Sequence, residues 1–471
     1  MIMINSIALD GKHTDLSAVN SVVRYHRRKK DKQMDYINDS KELIRFIESS
    51  PSMFHSVKTI REMLEEDGFT YLPEGSAWKI EKGGRYYAVR NHSSIIAFKV
   101  GSNLGNYSFR MSASHSDSPT FKVKNVPEIN GPGEYLRLDT EGYGGMIDST
   151  WFDRPLTLAG RVLVEENGKV EAKLLYIDKD ILIIPNVAIH FNREINKGYN
   201  YNHQVDLLPL FSAGEMKKGA FDDMIAKELG VQKEQILGRD LFLVNRQRGV
   251  IWGYENEFVS IGKLDDLQCA FTSLKGFLAS DNPDTVSIYA CFDNEEVGSN
   301  SKQGALSTFL YDVTRRIHSG LNKSEDSYYQ AVARSFMVSC DNAHAVHPNH
   351  GEKTDPVNCT FMNKGVVIKE NATQRYTTDA VSRAVFTKIC KDAGVPVQSF
   401  ANRSDVPGGG TLGNLSNTHV SVHAVDIGLP QLAMHSAYET AGIKDTSYAI
   451  EALKAYYNSN FVIEDEMNIR F

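Results

Sequence analysis

Apolar positions fall in short blocks along this chain, and their spacing shifts from helical to strand-like and back. Over 40–66 they recur three and four residues apart. Leu43, Ile44 and Ile47 share one face, and Val57, Ile60, Met63 and Leu64 share another, with Gly68 as a stop. Two helices are predicted there. Stretches 86–90, 94–100 and 107–114 are β-branched and aromatic, divided by Gly- and Asn-rich turns, and predict strands. From about 121 to 253 the pattern becomes β-rich. Runs at 161–164 and 173–176 flank Glu166-Asn167-Gly168-Lys169, and Asn-Gly between alternating strands predicts a hairpin. The run 181–190 is apolar, and 208–239 is charged with a helical pattern.

Strand and helix alternate again from 257. Helices are predicted over 264–280, 304–318, 372–391 and 445–457, and strands over 286–292, 335–340, 397–401 and 419–425. Such alternation implies a largely parallel sheet between helices. The expected architecture is α/β: a mostly parallel central sheet flanked by helices, built from 34–120 and 255–471, with a β-rich domain inserted over 121–254. The first 33 residues differ from the rest. Arg24 to Lys32 is a basic cluster with little apolar content, expected to be a solvated, poorly ordered leader.

Composition narrows the class. A chain of 471 residues allows two or three domains. A net charge of −7 argues against wholesale nucleic-acid or membrane binding. The apolar runs stay well short of the ~20 residues that cross a bilayer. Five cysteines, at 269, 291, 340, 359 and 390, form no Cys-x-x-Cys pair, which fits a reducing, cytoplasmic setting.

The candidate chemistry begins at Thr285–Ser299, TVSIYACFDNEEVGS. A buried strand runs abruptly into Asp293, Glu295 and Glu296. Ligands of open α/β sheets bind outside the carboxyl ends of strands. Adjacent glutamates there repel unless a cation or a shared proton compensates; the other reading is a solvated acidic turn. Four further stretches put metal-type side chains at or beside element boundaries. His115 and Asp117 follow a strand, Asp265 opens a helix, Asp341 follows a strand, and His435 lies near the C-terminus. A dinuclear site needs about this inventory: one bridging carboxylate, then one His and one further carboxylate for each ion. Imidazole and carboxylate suit zinc, and oxygen-rich sites also accept manganese or cobalt. Asp117 is placed to orient the His115 imidazole from behind.

Seven stretches then carry a resemblance. ASHSDSPTFKVK (113–124), YGGMIDSTWFDRPLTLAGRV (143–162), KLDDLQCAF (263–271), DNEEVGS (293–299), SCDNAHAVHPN (339–349), VIKENATQRYTTDAV (367–381) and QLAMHSAYE (431–439) resemble the aspartyl aminopeptidase family of dinuclear zinc metallopeptidases, over about 34–471. The resemblance implies a zinc exopeptidase-like catalytic domain, two divalent ions, and hydrolysis of an N-terminal Asp or Glu from short peptides. By that resemblance His115, Asp265, Glu296, Asp341 and His435 are metal ligands, with Asp265 bridging. Glu295 is the general base and Asp117 the carboxylate supporting His115. His344 and Lys369 face substrate, and His190 reaches a neighbouring subunit's active site from the inserted dimerisation domain. Family members assemble as dimers and then as a tetrahedral dodecamer. One departure concerns selectivity: Asp405-Val406-Pro407-Gly408-Gly409-Gly410-Thr411 has more Gly than the form associated with acidic-selective members. An amidase or aminopeptidase for neutral or acylated residues is the alternative reading, and a non-catalytic assembly or cargo protein is a further one.

Overall fold

The computed structural model describes residues 36–465 and 468–471, so the leader expected at 1–33 lies outside the described residues. Four parallel strands form the middle of its largest sheet. In spatial order they are Val286–Phe292, Phe109–His115, Phe336–Cys340 and His423–Gly428. The first three are buried at every position, as expected for parallel strands covered on both faces. Antiparallel pairings flank this centre. Ser94–Val100 and then Arg85–Arg90 extend one side, and Val366–Glu370 followed by Val397–Ala401 extends the other. The expected α/β class is what folds: antiparallel pairings border the four-stranded centre, and the outer pair Val366–Glu370 and Val397–Ala401 is parallel again.

Helices close both faces. Leu264–Leu278 and Ile443–Asn458 pack on one, sharing a core with Met53–Glu66 and Ala380–Asp392. Phe309–Gly320 and Glu325–Ala333 close the other. Because the central strands run in one direction, His115, Phe292 and Cys340 all end at the same edge. Register puts Phe292 opposite His115, and Ser339 opposite Ala113. The segments that follow them, 116–119, 293–299 and 341–342, therefore emerge side by side.

Residues 120–245 supply a second sheet, six strands and wholly antiparallel, over its own core of Phe121, Leu138, Trp151, Leu158 and Leu241. The predicted hairpin is present between Leu156–Glu166 and Lys169–Tyr176. Asn167 and Gly168 both have positive φ, 54° and 74°, as a two-residue turn of that hand requires. A third sheet of short strands includes Phe258–Ile261, Glu439–Gly442, Pro430–Leu432 and Ala343–His344. Among the described residues no helix is long and apolar enough to cross a membrane.

Several expected elements differ. The run 181–190 forms only isolated bridges at Leu182 and Ile183. In 208–239 the helix is limited to Ala220–Leu229, and Ile236–Asn245 is a ten-residue strand. Its apolar half, Leu241–Val244, is buried in the sheet, and its charged half misled the helical reading. The helix expected from 372 starts at Ala380. Asp379 and Ser382 bond each other's backbone N–H there, and this reciprocal cap fixes the start. The helix expected from 304 starts at Phe309, and the strand expected over 419–425 is His423–Gly428. Elements not foreseen include the strand Val366–Glu370, the helix Glu325–Ala333 and the short strands Pro430–Leu432 and Glu439–Gly442.

Leu264–Leu278 carries Asp265 and meets Ile443–Asn458 closely at Gly276. A Cβ there would stand 2.7 Å from Leu453 Cβ and 2.9 Å from Lys454 N. Overpacking of this kind costs roughly 1–3 kcal/mol. Gly276→Ala is expected to lower the thermal unfolding midpoint measurably; an unchanged midpoint would show that the two helices can part freely.

Candidate metal centre

His115 ends its strand with the imidazole buried. Its Nε2 lies 3.5 Å from Asp265 Oδ1 and 3.8 Å from Asp341 Oδ1. Asp265 sits in the first turn of Leu264–Leu278, immediately after Lys263 and Leu264. Its second oxygen, Oδ2, lies 3.3 Å from His435 Nε2, which is also 3.4 Å from Glu296 Oε2. Asp265 therefore turns one oxygen to each imidazole, with Asp341 on one side and Glu296 on the other. Glu295 joins His115 and Glu296 in a further group whose candidate ligand atoms lie within 4.8 Å of one another. The fold thus brings His115, Asp117, Asp265, Glu295, Glu296, Asp341 and His435 into one cluster from five separate segments.

Asp117 has more partners than the sequence reading gave it. Its Oδ1 is 3.4 Å from His115 Nδ1 and accepts the Glu295 N–H at 3.2 Å. Its Oδ2 accepts the Glu296 N–H at 3.2 Å and the Tyr143 hydroxyl at 2.8 Å. One carboxylate thus holds both the imidazole and the turn that carries the two glutamates. Asp293 takes no part in the groups that could hold an ion; its Oδ1 accepts the Asn294 N–H instead.

The electrostatics show a cluster short of positive charge. Burial pushes the Glu295 carboxyl up to about 8, and Asp341, Asp117 and Asp265 add to the rise against the opposing pull of His115. Burial, then Asp265, holds Glu296 well above the carboxylate range. Burial works against protonating His115, but Asp266 and the Asp117, Asp265 and Asp341 carboxylates around its ring outweigh it and raise its pKa well above 6.5. His435 rises to about 9 because Asp265 overcomes the same burial effect. Burial raises Asp265, yet the two imidazoles outweigh it and leave its carboxyl below the usual range.

Asp265 Oδ1, Asp266 Oδ1 and Glu296 Oε1 are buried without a hydrogen-bond partner. Orphaned acceptors of this kind are expensive unless a cation meets them. A nitrogen-and-oxygen donor set of two imidazoles and several carboxylates suits zinc, so the residues present fit a divalent metal centre.

Lys369 and His344 line the cleft over this cluster, a space of about 910 Å³ also bounded by Tyr376, Phe400, Gly409 and Met434. Lys369 is buried. Its ammonium donates to the Asp341 carbonyl at 2.7 Å and lies 3.4 Å from Asp341 Oδ2. Burial disfavours its charge, but Asp341 and its neighbours more than compensate and raise the pKa. His344 is exposed on the wall, its ring 6.2 Å from Phe400. His190 is not among the cleft residues. It lies on the second sheet's exposed loop beside Ile189 and Phe191, which are 48% and 87% exposed.

The sequence reading missed three residues. Asp266, which the sequence did not single out, accepts the His115 N–H through Oδ2 at 3.1 Å. Tyr143 bonds Asp117, and its oxygen accepts from Asn294 Nδ2 at 2.8 Å. Glu439 accepts backbone N–H groups of Asp265 and His435. The adjacent acid was the one available signal for Asp266. Tyr143 and Glu439 lie within the family-like stretches but have no local pattern of their own.

Comparison with known proteins places this geometry. Residues 46–457 match the family model described as aminopeptidase I zinc metalloprotease (M18). A protein of Clostridium novyi named probable M18 family aminopeptidase 2 is 46% identical, over 90% of this chain and 99% of its own. Among solved structures, the chain in the cryo-EM structure of an Ape4 and Nbr1 complex superposes with a TM-score of 0.86 at 35% identity, covering 90% of this chain and 86% of that one. The Saccharomyces mApe1 dodecamer gives 0.80 at 26% identity, with 90% and 97% covered. A family match across nearly the whole chain agrees with the cluster of imidazoles and carboxylates at the sheet's edge, and the chain belongs to the M18 family of zinc metallo-aminopeptidases.

Proposed function

We propose that this aminopeptidase removes a single N-terminal residue, Asp or Glu, from short peptides, using two zinc ions per chain. The observation that carries the reading is Asp265, set between two imidazoles with one oxygen toward each. His115 and Asp341 would complete one site, and His435 and Glu296 the other, with Asp265 shared. Two bound divalent ions, zinc or in their place manganese or cobalt, supply the charge that activates water and polarises the scissile carbonyl.

The chain's own groups do the rest. Glu295 lines the cleft beside the ligand set and is not itself needed to complete either site. It takes the proton from the attacking water and returns it to the departing amine. Asp117 fixes the turn that carries Glu295 and Glu296 by bonding each backbone N–H to a different oxygen. It also holds His115 with Nε2 toward the centre. The Lys369 ammonium, with the His344 ring on the same cleft wall, would meet an acidic side chain.

We assign 34–120 and 255–471 to the catalytic domain and 121–254 to an inserted dimerisation domain. The separate antiparallel sheet and core of 120–245 support that division. Exposed Val187, Ile189 and Phe191 around His190 support a contact through which His190 enters a neighbour's cleft. The solved dodecamer of a relative supports further assembly of such dimers. Enclosed active sites would restrict substrates to short peptides. Five free cysteines support a cytoplasmic setting.

One observation favours a preference for neutral residues instead. The ammonium of Lys369 already spends its shortest bond on the Asp341 carbonyl.

Glu295→Gln is expected to keep both zinc ions and lose about 10²–10⁴-fold in kcat. Metal content and aminoacyl-anilide cleavage check it, and near-parental turnover with two zinc ions bound would remove Glu295 from proton transfer. Lys369→Ala should lower kcat/KM for α-Asp substrates at least tenfold more than for Leu substrates, a gap of ~1.4 kcal/mol. Equal losses on both would reassign Lys369 to holding Asp341 and support the neutral preference.

A further inference from the structure

Glu439 is the first residue of the short strand Glu439–Gly442, paired with Ile261 in the third sheet. Its carboxylate is 2% exposed. Oε2 accepts the Asp265 N–H at 3.1 Å, and Oε1 accepts the His435 N–H at 2.8 Å. Oε1 also lies 3.3 Å from Gln431 Nε2. The Gln431 carbonyl oxygen in turn accepts from Asn342 Nδ2 at 2.8 Å, and the same Asn342 nitrogen is 3.0 Å from the Leu264 carbonyl. Gln431 and Asn342 are 1% and 3% exposed. Three buried polar side chains therefore tie together 264–265, 341–342 and 431–435, which carry Asp265, Asp341 and His435.

A turn-capping glutamate would need only the His435 N–H, four residues back along the chain. The second bond, to a backbone 174 positions away, is not part of any turn. Nor is Glu439 placed for an ion pair: among the described residues no Lys, Arg or His side chain lies within ion-pair distance of it. A carboxylate buried near Asp265 and without a cation is costly, and only strong hydrogen bonds offset the cost.

The loop it holds also needs restraint. Ala433 and His435 have φ of 56° and 66°, left-handed values that cost a non-glycine residue about 1–3 kcal/mol each. The His435 carbonyl accepts from Ile147 N at 2.9 Å, and its Nδ1 lies 2.8 Å from the Gly145 carbonyl. Its N–H is held by Glu439 alone.

We propose that Glu439 is a positioning residue of the metal centre: with Gln431 and Asn342 it fixes the Asp265 and His435 backbones so that both side chains reach one ion. The inference rests on the metal-centre reading above, and its distinguishing consequence is a fault larger at the His435 side of the centre than at the His115 side, which shares only Asp265 with it.

The test uses the full chain loaded with zinc. Zinc affinity is measured by competition with a chromogenic chelator, and the cobalt-substituted protein gives a visible absorption spectrum sensitive to ligand geometry. Glu439→Gln keeps the side-chain volume and one acceptor but turns an NH2 group toward one of the two backbone donors. It is expected to weaken one of two zinc ions 10–100-fold, the range typical of residues that orient ligands, and to change the cobalt spectrum. At saturating zinc, kcat should fall while KM for a dipeptide stays within about twofold. Glu439→Asp, which keeps the charge on a shorter arm, should recover part of the affinity. A Glu439→Gln protein with parental affinity for both ions and a parental cobalt spectrum overturns the proposal. So does an equal weakening of both ions that Glu439→Asp does not relieve, since that is general loosening of the fold. A parent protein that binds fewer than two zinc ions overturns the metal-centre reading itself, whatever Glu439 does.

Discussion

Buried like charges have to be compensated, and much of this molecule follows from that constraint. Asp117, Asp265, Asp266, Asp341, Glu295 and Glu296 crowd one edge of the central sheet with two imidazoles among them. The charge deficit is visible in the raised carboxyls of Glu295 and Glu296 and in the raised imidazoles of His115 and His435. Hydrogen bonds relieve only part of it. Asp117 is met by two backbone N–H groups and a hydroxyl, and Lys369 offsets Asp341, while oxygens of Asp265, Asp266 and Glu296 have no partner. A chain that folds around such a deficit has built a place for cations.

The parallel centre of the sheet is what makes the crowding possible. Strands running in one direction deliver their carboxyl ends to one edge, so His115, the Asp293–Glu296 turn and Asp341 converge without long connections. The remaining two candidate ligands come from elsewhere. Asp265 opens a helix packed on the sheet's face, and His435 sits on a loop of the third sheet. These two need external bracing, and the buried Glu439–Gln431–Asn342 network lies between them.

The strand ends were legible because buried apolar runs stop abruptly at acidic residues, a contrast that survives in one dimension. The Asn167-Gly168 hairpin was legible for a similar local reason. What stayed hidden depends on distance. Tyr143 and Glu439 act through hydrogen bonds to other segments of the chain, and nothing beside them in sequence marks those partners. The strand Ile236–Asn245 was obscured by charges on its exposed half, and Val366–Glu370 by its length of five residues ending in Lys-Glu. Lys369 was read as facing substrate, whereas its bond to the Asp341 carbonyl appears only in three dimensions.

The segment 143–147 leaves the second sheet at Tyr143 and passes directly over the centre. Tyr143 bonds Asp117, the Gly145 carbonyl faces His435 Nδ1, and Ile147 N bonds the His435 carbonyl. The two sheets are therefore not modules that evolution or an engineer could exchange independently. Cutting away residues 121–254 to leave a minimal catalytic unit would strip the supports from both imidazole-bearing sides at once. By the same route, strain on the second sheet from any contact it makes would be felt at the chemistry within one hydrogen bond.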